Sequence, residues 1–125
     1  MIVLAGRSLA KMEAAKAELD ELDVESCLCK TDIADRAQVQ ALADYAASLG
    51  DVTQVIHTSG VSPSDTATEN IIKINAAGTV NMVETFYPVL AEGGVMINFS
   101  SVAAYTMPQT DEWTQTFEAW NEPKF

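Results

Sequence analysis

Short apolar runs alternate along this chain with stretches of helical period. Ile2-Val3-Leu4-Ala5 is a run that stops at Gly6, which reads as a buried strand. Ser8 is a plausible N-cap. Leu9, Met12, Leu19 and Leu22 then follow at helical spacing, with Lys16 as the one lapse. Residues 24 to 30 read as the next strand. A second helix is expected from about 35 to 49, with Val39, Leu42, Ala46 and Leu49 on one face and Gly50-Asp51 at its end. Residues 52 to 57 read as a third strand, and 58 to 66 as a polar loop containing Gly60 and Pro63. A long helical pattern covers about 68 to 90, with Ile71, Ile74, Gly78, Met82 and Phe86 near one stripe. Gly78 inside it costs about 1 kcal/mol against alanine and marks close packing on a neighbour. Pro88 kinks or ends that helix, and residues 95 to 99 read as the fourth strand. Beyond Thr106, Trp113, Phe117 and Trp120 fall at i, i+4 and i+7, the spacing of a short amphipathic helix.

Alternation of strand and helix predicts an α/β domain, a parallel sheet with helices on both faces. The length, 125 residues, suits one domain. No internal repeat, low-complexity tract or second domain is visible. A net charge of -11 speaks against nucleic-acid and anionic-membrane partners, since phosphates are repelled. A few local basic groups could still hold a phosphorylated cofactor. No apolar run approaches the roughly 20 residues of a membrane helix. The opening residues are too short and too little basic for a signal peptide, so the chain reads as cytoplasmic. Cys27 and Cys29 lie at i and i+2 on an expected strand and point the same way. A disulfide between them would be strained, and one histidine cannot complete a metal site. They read as buried strand thiols.

Chemistry concentrates at the ends of the expected strands, where ligands bind in open α/β sheets. Gly6-Arg7-Ser8 joins a strand to a helix N-terminus, a place suited to an anion; Arg7 could equally be a solvated turn residue. Asp32, in Lys30-Thr31-Asp32-Ile33, is a local cap or a ligand group. His57-Thr58-Ser59-Gly60 carries the single histidine, read as a structural hydrogen-bonding group rather than a general base. Gly60 allows close approach of backbone to a ligand. Asn75 interrupts an apolar stripe and must find partners there. Gly93-Gly94-Val95-Met96-Ile97-Asn98-Phe99-Ser100-Ser101 is a turn, a strand and two hydroxyls.

Three of these segments together, His57-Thr58-Ser59-Gly60, Ile74-Asn75-Ala76-Ala77-Gly78-Thr79 and Asn98-Phe99-Ser100-Ser101, resemble the middle of a short-chain dehydrogenase/reductase. The resemblance covers about residues 2 to 105 and implies strands two to five of an incomplete Rossmann-type, three-layer parallel sheet. It divides the chain into a partial NAD(P)-binding domain, 1–105, and an acidic, aromatic tail, 106–125, that could begin a substrate-region insertion. It implies hydride transfer between NADP(H) and a carbonyl or alcohol substrate, in a homo-oligomer. Under it Arg7 binds the 2′-phosphate, because Gly6 stands where an acidic residue would give NAD preference. Asp32 accepts from the adenine amine, Ile33 packs on the adenine face, and Gly60 lies by the cofactor. The backbone carbonyl of Asn75 orders a water in the proton relay, and Ser101 holds the substrate oxygen. His57-Thr58-Ser59 departs from the family's Asn-Asn-Ala at that strand end.

Two family features are absent from these 125 residues: the glycine-rich first turn and the Tyr-x-x-x-Lys pair. Tyr45, Tyr87 and Tyr105 are followed four later by Leu49, Ala91 and Gln109. Without that pair nothing tunes a tyrosine, ordinarily of pKa about 10, for proton exchange at neutral pH. The chain alone is therefore expected to be inactive. The missing first strand, central in such a sheet, should leave a hole with unpaired edges. A non-catalytic nucleotide-binding or regulatory module is the alternative; a flavodoxin-like signalling domain is a third reading, but Asp32 stands nearly alone among acidic strand-end groups.

Overall fold

A computed structural model describes residues 1–62, 64, 66–106 and 110–118. Four strands form, β1 (Ile2–Gly6), β2 (Ser26–Lys30), β3 (Val52–His57) and β4 (Leu90–Asn98). They do not join into one sheet. β1 pairs with β2 and β3 with β4, each in parallel. Between the pairs lies a cleft, lined by β1 on one side and β3 on the other. The fourth strand starts five residues before the expected 95, because Leu90 already pairs with Val52 across an irregularity in register.

α1 (Leu9–Glu21) begins at Ser8, whose hydroxyl accepts from the Lys11 N–H at 3.4 Å. α2 (Arg36–Leu49) begins at Asp35, whose carboxylate accepts from the N–H groups of Ala37 and Gln38. Both caps remove orphan donors of the first turn. The two helices lie on opposite faces. A Cβ on Gly6 would touch Met12 of α1, whereas Val3, of the other strand parity, packs with the core under α2.

The long helical stretch is not one regular helix. It runs as α3 (Thr68–Ile71), a π-helical turn (Ile72–Ala77), α4 (Gly78–Phe86) and a 3₁₀ turn (Tyr87–Val89) at Pro88. The π turn shifts the stripe, so that Ile74, Gly78, Met82 and Phe86 are buried while Ile71 is only half-buried. Gly78 packs directly on Ile33: a Cβ there would stand 2.8 Å from two of its carbon atoms. The core, Ile33, Val39, Leu42, Ala43, Val55, Ile74, Met82 and Phe86, lies between the strands and the α2–α4 layer. Asn81 closes that layer by donating from Nδ2 to the Ile33 carbonyl at 2.9 Å, and Arg36 pairs with Glu84.

Three expectations need correction. The strands are not buried on both faces. Ile56, Val95 and Ile97 are about half exposed, since α1 covers only β1 and β2. Leu9 and Leu22 of the first helical stripe are exposed and only Met12 is buried. Cys27 and Cys29 are half-buried free thiols, because their strand lies at the edge of its pair. Beyond β4, two short helices follow, α5 (Ala103–Thr106) and α6 (Asp111–Glu118). The Trp113, Phe117 and Trp120 side chains expected to form a stripe lie outside what the structure describes.

Candidate functional site

The carboxyl ends of β1 and β2 stand side by side, tied by the Thr31 N–H donating to the Gly6 carbonyl at 3.0 Å. Arg7 and Asp32 follow directly. Both line a cavity of about 430 Å³, closed on the far side by Val61 from the loop after β3 and by Asn70 and Lys73 from the next helix. Arg7 is exposed and ends in no described hydrogen bond or ion pair. Asp32 is held in place: its N–H donates to Gln38 Oε1 at 2.9 Å, and its Oδ1 accepts from the Ala34 N–H at 3.0 Å. Its Oδ2 has no described partner. Lys73 is turned toward Glu69, 2.8 Å away, and keeps that carboxyl below its ordinary value through hydrogen bond and charge.

Ile33 is beside Asp32 in sequence but not in the cavity wall. Its side chain is 9% exposed and committed to the core against Gly78. Gly60 and Val61 are fixed to the π turn by Asn75. The Asn75 amide bonds both backbone groups of Val61, accepting from its N–H at 2.9 Å and donating to its carbonyl at 2.8 Å. The polar side chain expected to need partners within a helix finds them in a neighbouring loop, and the π turn is the local distortion that goes with it.

His57 ends β3 facing inward, 4% exposed. Its Nε2 lies 3.2 Å from Thr79 Oγ1, which donates to the Asn75 carbonyl at 2.8 Å. A threonine hydroxyl has one proton. That proton is given to Asn75, so Thr79 accepts from histidine and Nε2 carries the hydrogen. Burial lowers the His57 pKa from its ordinary 6.5, which keeps the ring neutral. The result is a directed chain from His57 through Thr79 to the Asn75 carbonyl. Sequence reasoning placed His57 as a structural hydrogen-bonding group and gave Thr79 no role. The signal was Thr79 four residues after Asn75, one helical turn, where a hydroxyl reaches back to a carbonyl.

Ser101 stands apart. It is exposed beyond β4, and its hydroxyl accepts from the Ala103 N–H at 3.2 Å at the start of α5. No described contact joins it to Asn75, Arg7 or Asp32. Five of the sequence-derived site residues thus group around the ends of β1, β2 and β3, with Ile33 behind the cavity, and the sixth does not. Among the described residues no three histidine, cysteine or carboxylate groups come together as ligands for a metal ion. No helix there is long and apolar enough to cross a membrane.

The family model described as short chain dehydrogenase matches residues 1–113. A short-chain dehydrogenase/reductase of Alternaria brassicicola is 35% identical over 77 residues, 62% of this chain and 28% of its own length. Among solved structures, a short-chain dehydrogenase/reductase from Burkholderia phymatum in complex with NAD superposes with a TM-score of 0.73 at 24% identity, covering 94% of this chain and 46% of that one. A short chain dehydrogenase from Burkholderia cenocepacia in complex with NADP gives a TM-score of 0.71 at 18% identity, over 94% and 52%. The chain therefore spans about half the length of the structures it matches, and less of the curated relative. With a family match that runs over residues 1–113, most of its length, the chain belongs to the short-chain dehydrogenase family.

Proposed function

We propose that this chain is the central part of an NADP(H)-dependent oxidoreductase acting on a carbonyl or alcohol substrate. The observation that carries the reading is that Arg7 and Asp32 face one cavity at the carboxyl ends of adjacent parallel strands. A bound nicotinamide dinucleotide would supply the hydride acceptor or donor. Arg7, a planar cation outside every described ion pair, suits the 2′-phosphate. Gly6 brings no carboxylate to compete for the ribose. Asp32 has one carboxylate oxygen bound to Ala34 and the other open toward the adenine amine. Ile33 backs this site from the core and supports its wall. Gly60, anchored through Val61 and Asn75, borders the cofactor. Asn75 presents its carbonyl, with a lone pair beyond the one Thr79 occupies, to the relay water, and Ser101 holds the substrate oxygen.

No Tyr-x-x-x-Lys occurs in the 125 residues, so hydride transfer belongs to the longer protein. Residues 1–105 form the nucleotide-binding part, and 106–125 begin the substrate region. The protein is cytoplasmic and homo-oligomeric.

The test uses the chain itself with two small probes, adenosine 2′-monophosphate and adenosine 5′-monophosphate, titrated by calorimetry or NMR. A charge-assisted hydrogen bond contributes about 1.5–3 kcal/mol, roughly one to two decades of affinity. The 2′-phosphate should bind tighter by that margin, and Arg7→Ala should abolish the difference. In the longer protein, Arg7→Ala should weaken NADPH far more than NADH, and more completely with Lys11→Ala added. Equal affinity for the two probes in the unaltered chain would remove the NADP assignment.

A further inference from the structure

Two sulfurs stand on one face of β2, and neither lines the cavity that Arg7 and Asp32 share. Cys27 and Cys29 pair in register with Val3 and Ala5 of β1. Side chains two residues apart on a strand share a face, and Val3 and Cys29 pack against the core under α2. Both cysteines are free and half-buried. Each has a hydroxyl beside it. Thr31 Oγ1 shares its proton between the Cys29 carbonyl, at 3.3 Å, and Cys29 Sγ, at 3.6 Å. Tyr45, on α2, brings its phenol to Cys27. Spacing decides what two such thiols can do. Two residues of strand rise set their Cβ atoms about 6.6 Å apart. A disulfide needs about 3.5–4.5 Å between Cβ atoms, so β2 would have to distort to form one. An ion held by both sulfurs closes the gap without distortion. Two metal–thiolate bonds of about 2.3 Å set in line span about 4.6 Å, a separation reached by turning each cysteine about its single χ1 torsion.

We infer that Cys27 and Cys29 form a two-coordinate site for a soft monovalent cation of the copper(I) class. Thiolates are soft donors and suit copper(I), zinc and iron–sulfur groups. Zinc takes four ligands and an iron–sulfur cluster four cysteines. Among the described residues no third histidine, cysteine or carboxylate joins this pair. Calcium and magnesium take oxygen ligands. Copper(I) has a filled d shell, so two sulfurs in line satisfy it. Met12, whose thioether is also a soft donor, lies on the opposite face against Gly6 and does not enter the site. On binding, each thiol gives its proton to water and each thiolate forms one bond to the metal. Copper stays at +1, and the neutral pair of thiols becomes a unit of charge −1. The Thr31 and Tyr45 hydroxyls then donate to the bound sulfurs, which offsets the cost of placing that charge beside the core. The site stands or falls separately from the nucleotide reading.

The probe is copper(I) itself, presented without oxygen as its coloured bicinchoninate complex to the purified, reduced chain. The chain should withdraw one ion per molecule and release two protons for each ion taken, because free thiols near pKa 8.5 are protonated at pH 6. Cys27→Ser and Cys29→Ser should each weaken copper(I) binding at least tenfold with an unchanged far-UV spectrum. Zinc at the same concentration should bind at least tenfold more weakly than copper(I). A measurement on the unaltered chain serves if a serine variant does not fold: one equivalent of copper(I) should slow iodoacetamide labelling of both cysteines together. Full copper(I) binding by both serine variants, or labelling that copper(I) leaves unchanged, would overturn the inference. So would half an ion per chain in a copper-dependent dimer, since the two sulfurs would then come from different molecules. Ready oxidation by diamide to a Cys27–Cys29 disulfide within one chain would overturn it too, since the sulfurs would then lie closer than a regular strand allows.

Discussion

Gly78 and Ile33 make the tightest contact in the molecule that a single methyl group can test. Alanine at 78 places its Cβ at 2.8 Å from Ile33 Cγ1 and Cδ1, and 3.5 Å from its backbone carbonyl carbon. Overpacking of this kind costs about 1–3 kcal/mol, against about 1 kcal/mol gained in helix propensity. Gly78→Ala should therefore lower the urea midpoint, and Ile33→Val should restore part of the loss. The pair should be non-additive in a double-mutant cycle; additivity would place Ile33 elsewhere. His57 gives a second test. Its pKa is lowered in the folded chain, so the unfolded chain binds the extra proton first as pH falls. The stability it contributes is complete above the unfolded value, about 6.5, and is lost progressively as pH drops below it. Denaturation midpoints between pH 8 and pH 5 should decline for the unaltered chain and decline less for His57→Gln. Equal slopes would mean that another group carries the acid sensitivity.

At the scale of elements, the boundaries of β3 and α2 were legible because each is bracketed by strong local signals: Gly50-Asp51 between them and Asp35 as a cap. The break of the long helix was half legible. Asn75 and Gly78 announced a departure from regular packing, but a π turn depends on what the side chain of Asn75 reaches. Its partner, Val61, lies 14 residues away in sequence and carries no marker. That clamp is testable. Two net hydrogen bonds contribute about 1–3 kcal/mol together. Asn75→Ala should cost an amount in that range and speed hydrogen exchange at the Val61 amide selectively. Asn75→Asp should do worse, since a carboxylate would face the Val61 carbonyl that the amide now serves as donor. Unchanged exchange at Val61 would show the loop to be held by other contacts.

Over the whole molecule, the parallel α/β order could be read from alternation. What pattern could not convey was coverage. Apolar runs such as 95 to 99 look alike whether one face or two are buried, and Val95 and Ile97 prove half exposed because α1 reaches only the first strand pair. That Arg7 and Asp32 line one cavity followed from strand ends alone; the separation of Ser101 did not, since α5 draws its hydroxyl into a local turn. Charge is the remaining global property. The chain carries 18 acidic against 7 basic residues, and all three ion pairs among the described residues are exposed, which limits each to about 1 kcal/mol or less. Most of the negative charge is therefore left to repel itself, and the compact state feels that repulsion more than the expanded one. Raising salt from about 10 mM to 0.3 M shortens the screening length from about 30 Å to well under 10 Å. Thermal melting should rise by several degrees over that range with sodium chloride, a salt whose first effect here is screening. Adding charge of the same sign should act in reverse: Lys30→Glu, on the exposed end of β2 and outside every described ion pair, should lower the low-salt melting point and lose most of its effect at 0.3 M. A melting point flat in salt for both proteins would mean that the acidic groups are spaced widely enough for water alone to screen them.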